Sequence, residues 1–314
     1  MTLAQVITQY VTLKQSMGAR FHAEAVILKA FSKAMGDVAV ADVEAGGVHA
    51  YIAGVGPVTR FWHRKYEALL GFYRFAIARG YVACSPLPMF LPKPPKPFVP
   101  YVFSHDELQR LLDAAAAYKN PNSHLEADTL RALLLLLYGA GLRISEALSL
   151  TLADVDLPNS VLMIRESKFY KTRLVPIGLR LTAALATYTI KRRQISRFHS
   201  AEAPFFVTRG GSSVKRHMAE NAFRRLRDRA KVYRHDGARY QPRLHDLRGT
   251  FAVHRLVSWY RQGRDLRILL PKLATYLGHA DIGATQRYLT MTPELLHEAS
   301  MRFECYAMAG GNHD

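Results

Sequence analysis

Residues 86–100 read PLPMFLPKPPKPFVP and hold seven of the chain's fifteen prolines. Each proline ring fixes φ at about −65° and removes a backbone N–H, so neither a helix interior nor a central strand can run through this segment. What remains is an extended, semi-rigid connector. It divides a chain of 314 residues, long enough for two domains, into unequal parts. The expected boundaries are a first domain over 1–86, a linker over 87–101 and a second domain over 102–314.

Before the linker the periodicity is helical. Phe61, Leu69, Leu70, Tyr73 and Ile77 recur at helical spacing within 58–78, with Arg60, Arg64, Lys65 and Arg74 between them. Gly80 is placed to end that helix. Segments 5–14 and 23–35 also read as helices. No strand-like alternation occurs in 1–85, so the first domain is expected to be all-α.

After the linker, Ser104-His-Asp-Glu107 has the S-x-x-E form of a capping box and opens a helix carrying Leu108, Leu111, Leu112 and Ala115 on one face. A second helix is expected over 126–138, broken at Gly139-Ala-Gly141, and a short one over 144–150. Residues 161–164 and 173–177 are strand-like runs around a polar turn at 166–172, which predicts a β-hairpin. Further helices are expected over 181–194, 213–230, 243–258, 268–277, 282–289 and 293–304, and one more strand over 205–207. The second domain is therefore expected to be mainly α with a small β-hairpin or sheet, an α+β fold.

Charge and cysteine content narrow the function. Lysine and arginine total 43 against 25 aspartate and glutamate, a net +18. Residues 1–100 carry +6 and the remainder +12, so both domains are basic. A field of that sign favours a polyanion, nucleic acid or an acidic membrane surface. The longest purely aliphatic run, 132–137, is far short of a membrane span. The start, MTLAQVITQY, lacks the basic region and cleavage site of a secretion signal. A cytoplasmic location with no membrane partner is expected. Two cysteines, Cys84 and Cys305, support neither a disulfide framework nor a four-cysteine zinc site.

Four short motifs carry candidate chemistry. In Gly141-Leu-Arg143-Ile-Ser-Glu146 an arginine stands at a glycine turn before a helix, where its planar fork suits phosphate oxygens; it is equally placed to pair with Glu146. Lys168 and Lys171 sit at the expected hairpin tip. His245-Asp-Leu-Arg248 puts histidine and arginine three apart on one helix face, with Leu244 and Leu247 turned to the core and the polar pair presented outward. The further ligands of a helical zinc site, as in H-E-x-x-H, do not accompany His245. Leu277-Gly278-His279 ends one helix, and Tyr288 falls on the next.

Taken in order, Arg143 in GLRISE, Lys168 in SKFYKTRLVPI, His245 and Arg248 in HDLR, His279 in LGH, and Tyr288 nine residues further on resemble the tyrosine recombinase (phage integrase) family. The resemblance covers roughly 102–305. The stretch FYRFAIARGYV before the linker is similar to the end of that family's helical, SAM-like core-binding domain.

The resemblance implies a site-specific DNA recombinase or integrase that cuts and rejoins DNA through a 3′-phosphotyrosyl intermediate. The chemistry accounts for the residue types. Attack by a tyrosine oxygen spreads negative charge over the nonbridging oxygens, which Arg143 and Arg248 would stabilise. Phenol has a free pKa of about 10, so it needs positive charge or a base nearby, and His245 is the candidate. By resemblance Lys168, rather than Lys171, protonates the departing 5′ oxygen, and His279 hydrogen-bonds the scissile phosphate. Tyr276, which precedes LGH, is a weaker candidate nucleophile than Tyr288. The bond energy stays in the ester, so neither metal, ATP nor another cofactor is expected. Gly249 departs from the polar residue that often follows HDLR in the family.

The expected partner is double-stranded DNA, gripped by Arg60, Arg64, Lys65, Lys171, Arg173, Lys215, Arg216 and Arg224. The family's assembly is a homotetramer on two sites, with accessory proteins possible and the C-terminal helix, 293–301 here, docking in cis or in trans. Two rival readings stay open on sequence alone. One is a type IB topoisomerase-like enzyme that relaxes DNA. The other is a non-catalytic DNA-binding protein, for which 273–289 resembles a helix-turn-helix.

Overall fold

The computed structural model describes residues 1–95, 99–165, 172–196, 198–279, 281–289, 300–301 and 304. The chain separates into two compact units, 1–98 and 99–314.

The first unit is helical: α1 (Leu3–Ser16), α2 (His22–Met35), α3 (Ala45–Ala53) and α4 (Arg60–Ala78). Helix α1 opens on a capping box in which the Thr2 hydroxyl accepts the Gln5 N–H and the Gln5 side chain accepts the Thr2 N–H. Thr59 caps α4 through the Phe61 N–H. One core gathers Leu3, Val6 and Tyr10 of α1, Leu28 and Phe31 of α2, Val48 and Ile52 of α3, and Leu69, Phe72 and Tyr73 of α4. Helix α3 was not expected. Gly46 and Gly47 lower its local propensity, and packing of Val48 and Ile52 in the shared core decides its state.

The second unit begins with α5 (His105–Ala116), α6 (Ala127–Gly139) and α7 (Ile144–Ser149). A three-stranded antiparallel sheet follows in the order β1 (Val155–Asp156), β2 (Val161–Ile164), β3 (Arg173–Pro176). Leu162 pairs with Val175 and Ile164 with Arg173. Then come α8 (Leu179–Ile195), α9 (Arg216–Arg229), α10 (Asp246–Arg261), α11 (Leu266–Leu277) and α12 (Gly283–Gln286). The leucine-rich α6 packs against α5, α7, α8 and α10. Its Leu130, Leu133, Leu136 and Leu137 share a core with Leu162, Val175, Leu185, Phe223 and Leu226. A second cluster joins Phe251, Val253 and Leu256 of α10 to Leu273 and Leu277 of α11.

The strands 161–164 and 173–176 match the expected hairpin, while its turn, 166–171, lies outside the described residues. The two-residue β1 is too short to leave a pattern. Residues 205–207 do not form a strand. The buried Arg192 side chain donates to the carbonyls of Pro204, Phe205 and Phe198, and Tyr188 Oη accepts the Val207 N–H. Side chains thus take several of the places a sheet ladder would use, and backbone pairing is confined to isolated contacts, such as the Phe205 N–H to Leu150 O and a bridge between Val207 and Ser213. The expected helix over 282–289 stops at Gln286, and 287–289 form a turn. Most of the expected helix over 293–304 lies outside the described residues; 300, 301 and 304 are helical. Among the described residues no helix is long and apolar enough to cross a membrane.

The start of the second unit is fastened to α10 and to the segment before it. Arg234 Nη1 donates to Val99 O at 2.9 Å, and the Phe103 N–H donates to Thr250 Oγ1 at 3.0 Å. Thr250, 0% exposed, donates in turn to Asp246 O at 2.9 Å. Thr250→Val keeps the shape but leaves the Phe103 N–H without a partner in the core. It is expected to cost about 1–3 kcal/mol, measured as a lowered urea midpoint.

Candidate active site

The site is built around one carboxylate. Glu146, on the first turn of α7 and 7% exposed, accepts the Arg143 N–H at 3.0 Å and Arg143 Nη1 at 2.7 Å. Arg173, from the start of β3, forks onto the same carboxylate, Nη1 to Oε1 at 3.1 Å and Nη2 to Oε2 at 2.9 Å. Arg248 Nη1, from α10, stands 3.9 Å from Oε2. Burial alone would raise the Glu146 pKa; hydrogen bonds from Arg173 and from Arg143, with the Arg173 charge, outweigh it and hold the group at about 2.

The same three arginines hold the C-terminal end of α11. Arg173 Nε donates to Tyr276 O at 3.1 Å, Arg248 Nη2 to Leu277 O at 2.7 Å, and Arg143 Nη2 to Gly278 O at 3.0 Å. Three successive carbonyls at a helix end, where the backbone dipole is negative, each receive a different guanidinium. Gly278 closes the helix at φ +66°, a left-handed conformation that favours glycine. A Cβ there would stand 2.7 Å from Arg173 Nη1. Gly141, at φ +60°, turns its carbonyl to Arg248 Nη1 at 2.7 Å.

His245 stands at the head of α10 with an exposed edge. Partial burial and the Arg248 charge lower its pKa below the ordinary imidazole value. The following Asp246, 1% exposed, accepts the Arg243 N–H and Nη2, each at 2.9 Å, which fixes this turn. Arg248 was expected to be presented outward, but it is 3% exposed. Its carbonyl partners draw it inside, and burial with the Arg143 charge brings its pKa down to about 10 against the opposing pull of Tyr288 and Glu146.

His279 follows Gly278 directly. Its Nδ1 lies 2.6 Å from Thr285 Oγ1, and its ring lies 6.1 Å from the Tyr288 ring at 27°. Burial, then Arg248, Arg143 and Arg173, push its pKa down to about 4. Tyr288 lies in the turn after α12 rather than on a helix, with its N–H donating to Thr285 O at 3.0 Å. Its ring lies alongside Gly249: a Cβ on that residue would stand 3.7 Å from Tyr288 Cε1. The bare position after Arg248 leaves this space open.

The structure therefore brings Arg143, His245, Arg248, His279 and Tyr288 to one region. Lys168 and Lys171 lie outside the described residues. Tyr276 points elsewhere: its hydroxyl donates to Pro176 O at 3.1 Å, its ring stacks on Phe251, and burial pushes its pKa up to about 12. Two expected phosphate contacts also turn inward. Lys65 donates to Tyr51 O at 2.6 Å and lies over the Tyr51 ring, and Arg173 is occupied as described. Arg60, Arg64, Lys215 and Arg224 are exposed, and Arg216, also exposed, pairs with Glu220 at 2.7 Å. Sequence reasoning noticed Glu146 only as a partner of Arg143. It gave no role to Thr285, which opens the stretch Thr285-Gln-Arg-Tyr288, because a threonine six residues after His279 is no distinctive signal.

Residues 101–294 match the phage integrase family. A protein named integrase/recombinase y4rE, from Sinorhizobium fredii, is 32% identical over 96% of this chain and 95% of its own length. Tyrosine recombinase XerC of Oceanobacillus iheyensis is 33% identical over 79% of this chain and 75% of its own. Among solved structures, the Tn1549 transposon integrase in complex with transposon right end DNA aligns over 98% of this chain and 100% of that one, with a TM-score of 0.68 at 18% identity. A lambda integrase tetramer bound to a Holliday junction aligns over 92% of this chain and 77% of that one, with a TM-score of 0.66 at 16% identity.

The depressed Glu146 pKa makes a stability prediction. Its ordinary value is 4.5 and its folded value about 2, so its contribution is present above pH 4.5 and is lost as pH falls through about 2. The difference corresponds to about 3 kcal/mol. Glu146→Gln is expected to unfold at lower denaturant than wild type at pH 7, with the gap narrowing below pH 4.5. A pH-independent gap would contradict the assignment.

Proposed function

The chain belongs to the phage integrase family and is a DNA strand transferase of the tyrosine recombinase type, and on that footing we propose that Tyr288 is its nucleophile. The phenolic oxygen attacks the scissile phosphorus, the 5′ oxygen leaves, and a 3′-phosphotyrosyl ester forms. Reversal by a 5′ hydroxyl reseals DNA with the bond energy conserved, so the cycle consumes no ATP and requires no metal. The observation that carries this reading is the convergence of the Arg143 and Arg248 guanidinium groups, His279 and Tyr288 at the end of α11.

Each group has a role its setting supports. Arg143 and Arg248 are preorganised donors for charge that builds on the nonbridging oxygens. His245, its pKa lowered, is uncharged near pH 7 and able to take the phenolic proton. His279 is likewise neutral. If its Nδ1 accepts the Thr285 hydroxyl, its proton is on Nε2, which suits donation to a phosphate oxygen. Lys168 is assigned the proton for the leaving 5′ oxygen on family likeness. Arg60, Arg64, Lys215, Arg216 and Arg224 are exposed cations that suit DNA phosphates, and the net charge of +18 supports a duplex partner. We assign 1–86 to core binding and 102–314 to catalysis. The working assembly is a homotetramer on two sites in the cytoplasm, associated with the nucleoid. The relatives are integrases and Xer recombinases, which favours strand exchange over simple relaxation.

The test is covalent capture. Genomic DNA trapped on the protein identifies the site, and a nicked duplex carrying it is then incubated with enzyme. Wild type is expected to give a denaturant-resistant adduct that Tyr288→Phe abolishes. No wild-type adduct would point to a non-catalytic DNA-binding protein. Arg143→Ala is expected to keep DNA affinity, since one cation among many contributes little, while the adduct rate falls about 10²–10³-fold. Equal loss of affinity and rate would contradict its role.

A further inference from the structure

Arg173 has a role that neither its exposure nor a phosphate contact explains. Its side chain is 12% exposed. Nε serves Tyr276 O, and both terminal nitrogens serve Glu146. Its plane lies against the Gly278 backbone so closely that a Cβ on that residue would stand 2.7 Å from Nη1 and 2.8 Å from Cζ. One guanidinium thereby joins β3, α7 and the end of α11.

We propose that Arg173 is a positioning residue for strand transfer: it seats the end of α11 on Glu146 so that Arg143, Arg248 and His279 address one phosphate. The proposal rests on the site reading above. Arg143 and Arg248 take their direction from carbonyls of residues 278 and 277, and His279 is the next residue along. The carbonyl of residue 276, just before them, is held by Arg173 alone of the three arginines. Without it, that carbonyl loses the Arg173 donor and Glu146 loses its one bidentate guanidinium partner among the described residues. The remaining arginines then share a carboxylate that β3 no longer touches, and the helix end keeps its tie to β3 through the Tyr276 hydroxyl and Pro176 O. A lysine cannot restore this, because one ammonium cannot present the fork and the Nε donor together. Gly278 completes the arrangement from the other side, since any side chain there meets the guanidinium.

The test compares wild type, Arg173→Met and Arg173→Lys on the nicked duplex carrying the captured site. Circular dichroism and thermal unfolding show which variants are folded; the lysine variant carries the test if the methionine variant does not fold. Affinity is read by gel shift and the adduct rate constant at saturating DNA. Affinity is expected to stay within about twofold, while the saturating rate falls about a hundredfold, the scale of a small misplacement of catalytic groups. In a Glu146→Gln background the same substitution is expected to cost much less, because the two side chains act as one unit. Three results would overturn the proposal: an undiminished rate in a folded variant, lost affinity with the saturating rate intact, or fully multiplicative losses in the double variant. Absence of any wild-type adduct is a separate result and removes the underlying reading.

Discussion

A single buried carboxylate makes the rest of the second unit's geometry possible. Three guanidinium groups do not gather in a protein interior unaided, since each loses hydration and repels the others. Glu146 supplies the counter-charge, and the carbonyls at the end of α11, with that of Gly141, supply the remaining acceptors. The arrangement leaves a surplus of positive charge at fixed positions, which a phosphate can neutralise. Because these donors are already oriented, no reorganisation is needed as charge builds on the phosphate.

The same field sets the protonation of the histidines. His279 lies beside Arg248, Arg143 and Arg173, and His245 beside Arg248 and Arg143. With burial, these charges keep both rings neutral near pH 7. A neutral imidazole can accept a proton or donate a hydrogen bond selected by its tautomer, whereas a charged one only donates. The arginines therefore tune the histidines, besides the phosphate-binding role proposed for Arg143 and Arg248. Thr285 ties the two halves together: its hydroxyl meets His279 and its carbonyl accepts the Tyr288 N–H.

Much of this was legible in the sequence, and the gaps have physical causes. The helical first unit, the strands at 161–164 and 173–176 and the helix starting from Ser104 follow from periodicity and capping, which are local properties. Helix α3 and the irregular path of 205–207 depend on tertiary contacts, a shared core in one case and Arg192 in the other. Among site residues, the resemblance of short motifs, in their order and spacing, to those of the tyrosine recombinase family pointed to Arg143, His245, Arg248, His279 and Tyr288. They did not show that Lys65 and Arg173 turn inward. A cation in a basic sequence looks alike whether it faces a phosphate or a carbonyl, and only the fold reveals that Tyr51, Glu146 and Tyr276 are waiting for these two. Arg248 was misjudged in the same way, because the acceptors that bury it lie far away in sequence.

The site also divides its labour between elements of different regularity. Arg248 stands on α10, a helix that Thr250 fastens to the start of the unit through Phe103. Arg143 is locked by Glu146 on α7, and the acceptors they share belong to the end of α11. Tyr288 instead belongs to a short turn, held through its N–H and that of Leu289, beside a glycine with no side chain to crowd it. A reversible strand transfer asks for this division. The groups that stabilise charge must hold the same geometry in cleavage and in rejoining, whereas the phenol changes from attacking group to leaving group between them. On the proposed reading, fixed donors on packed elements and a nucleophile on a separate turn let one site serve both directions.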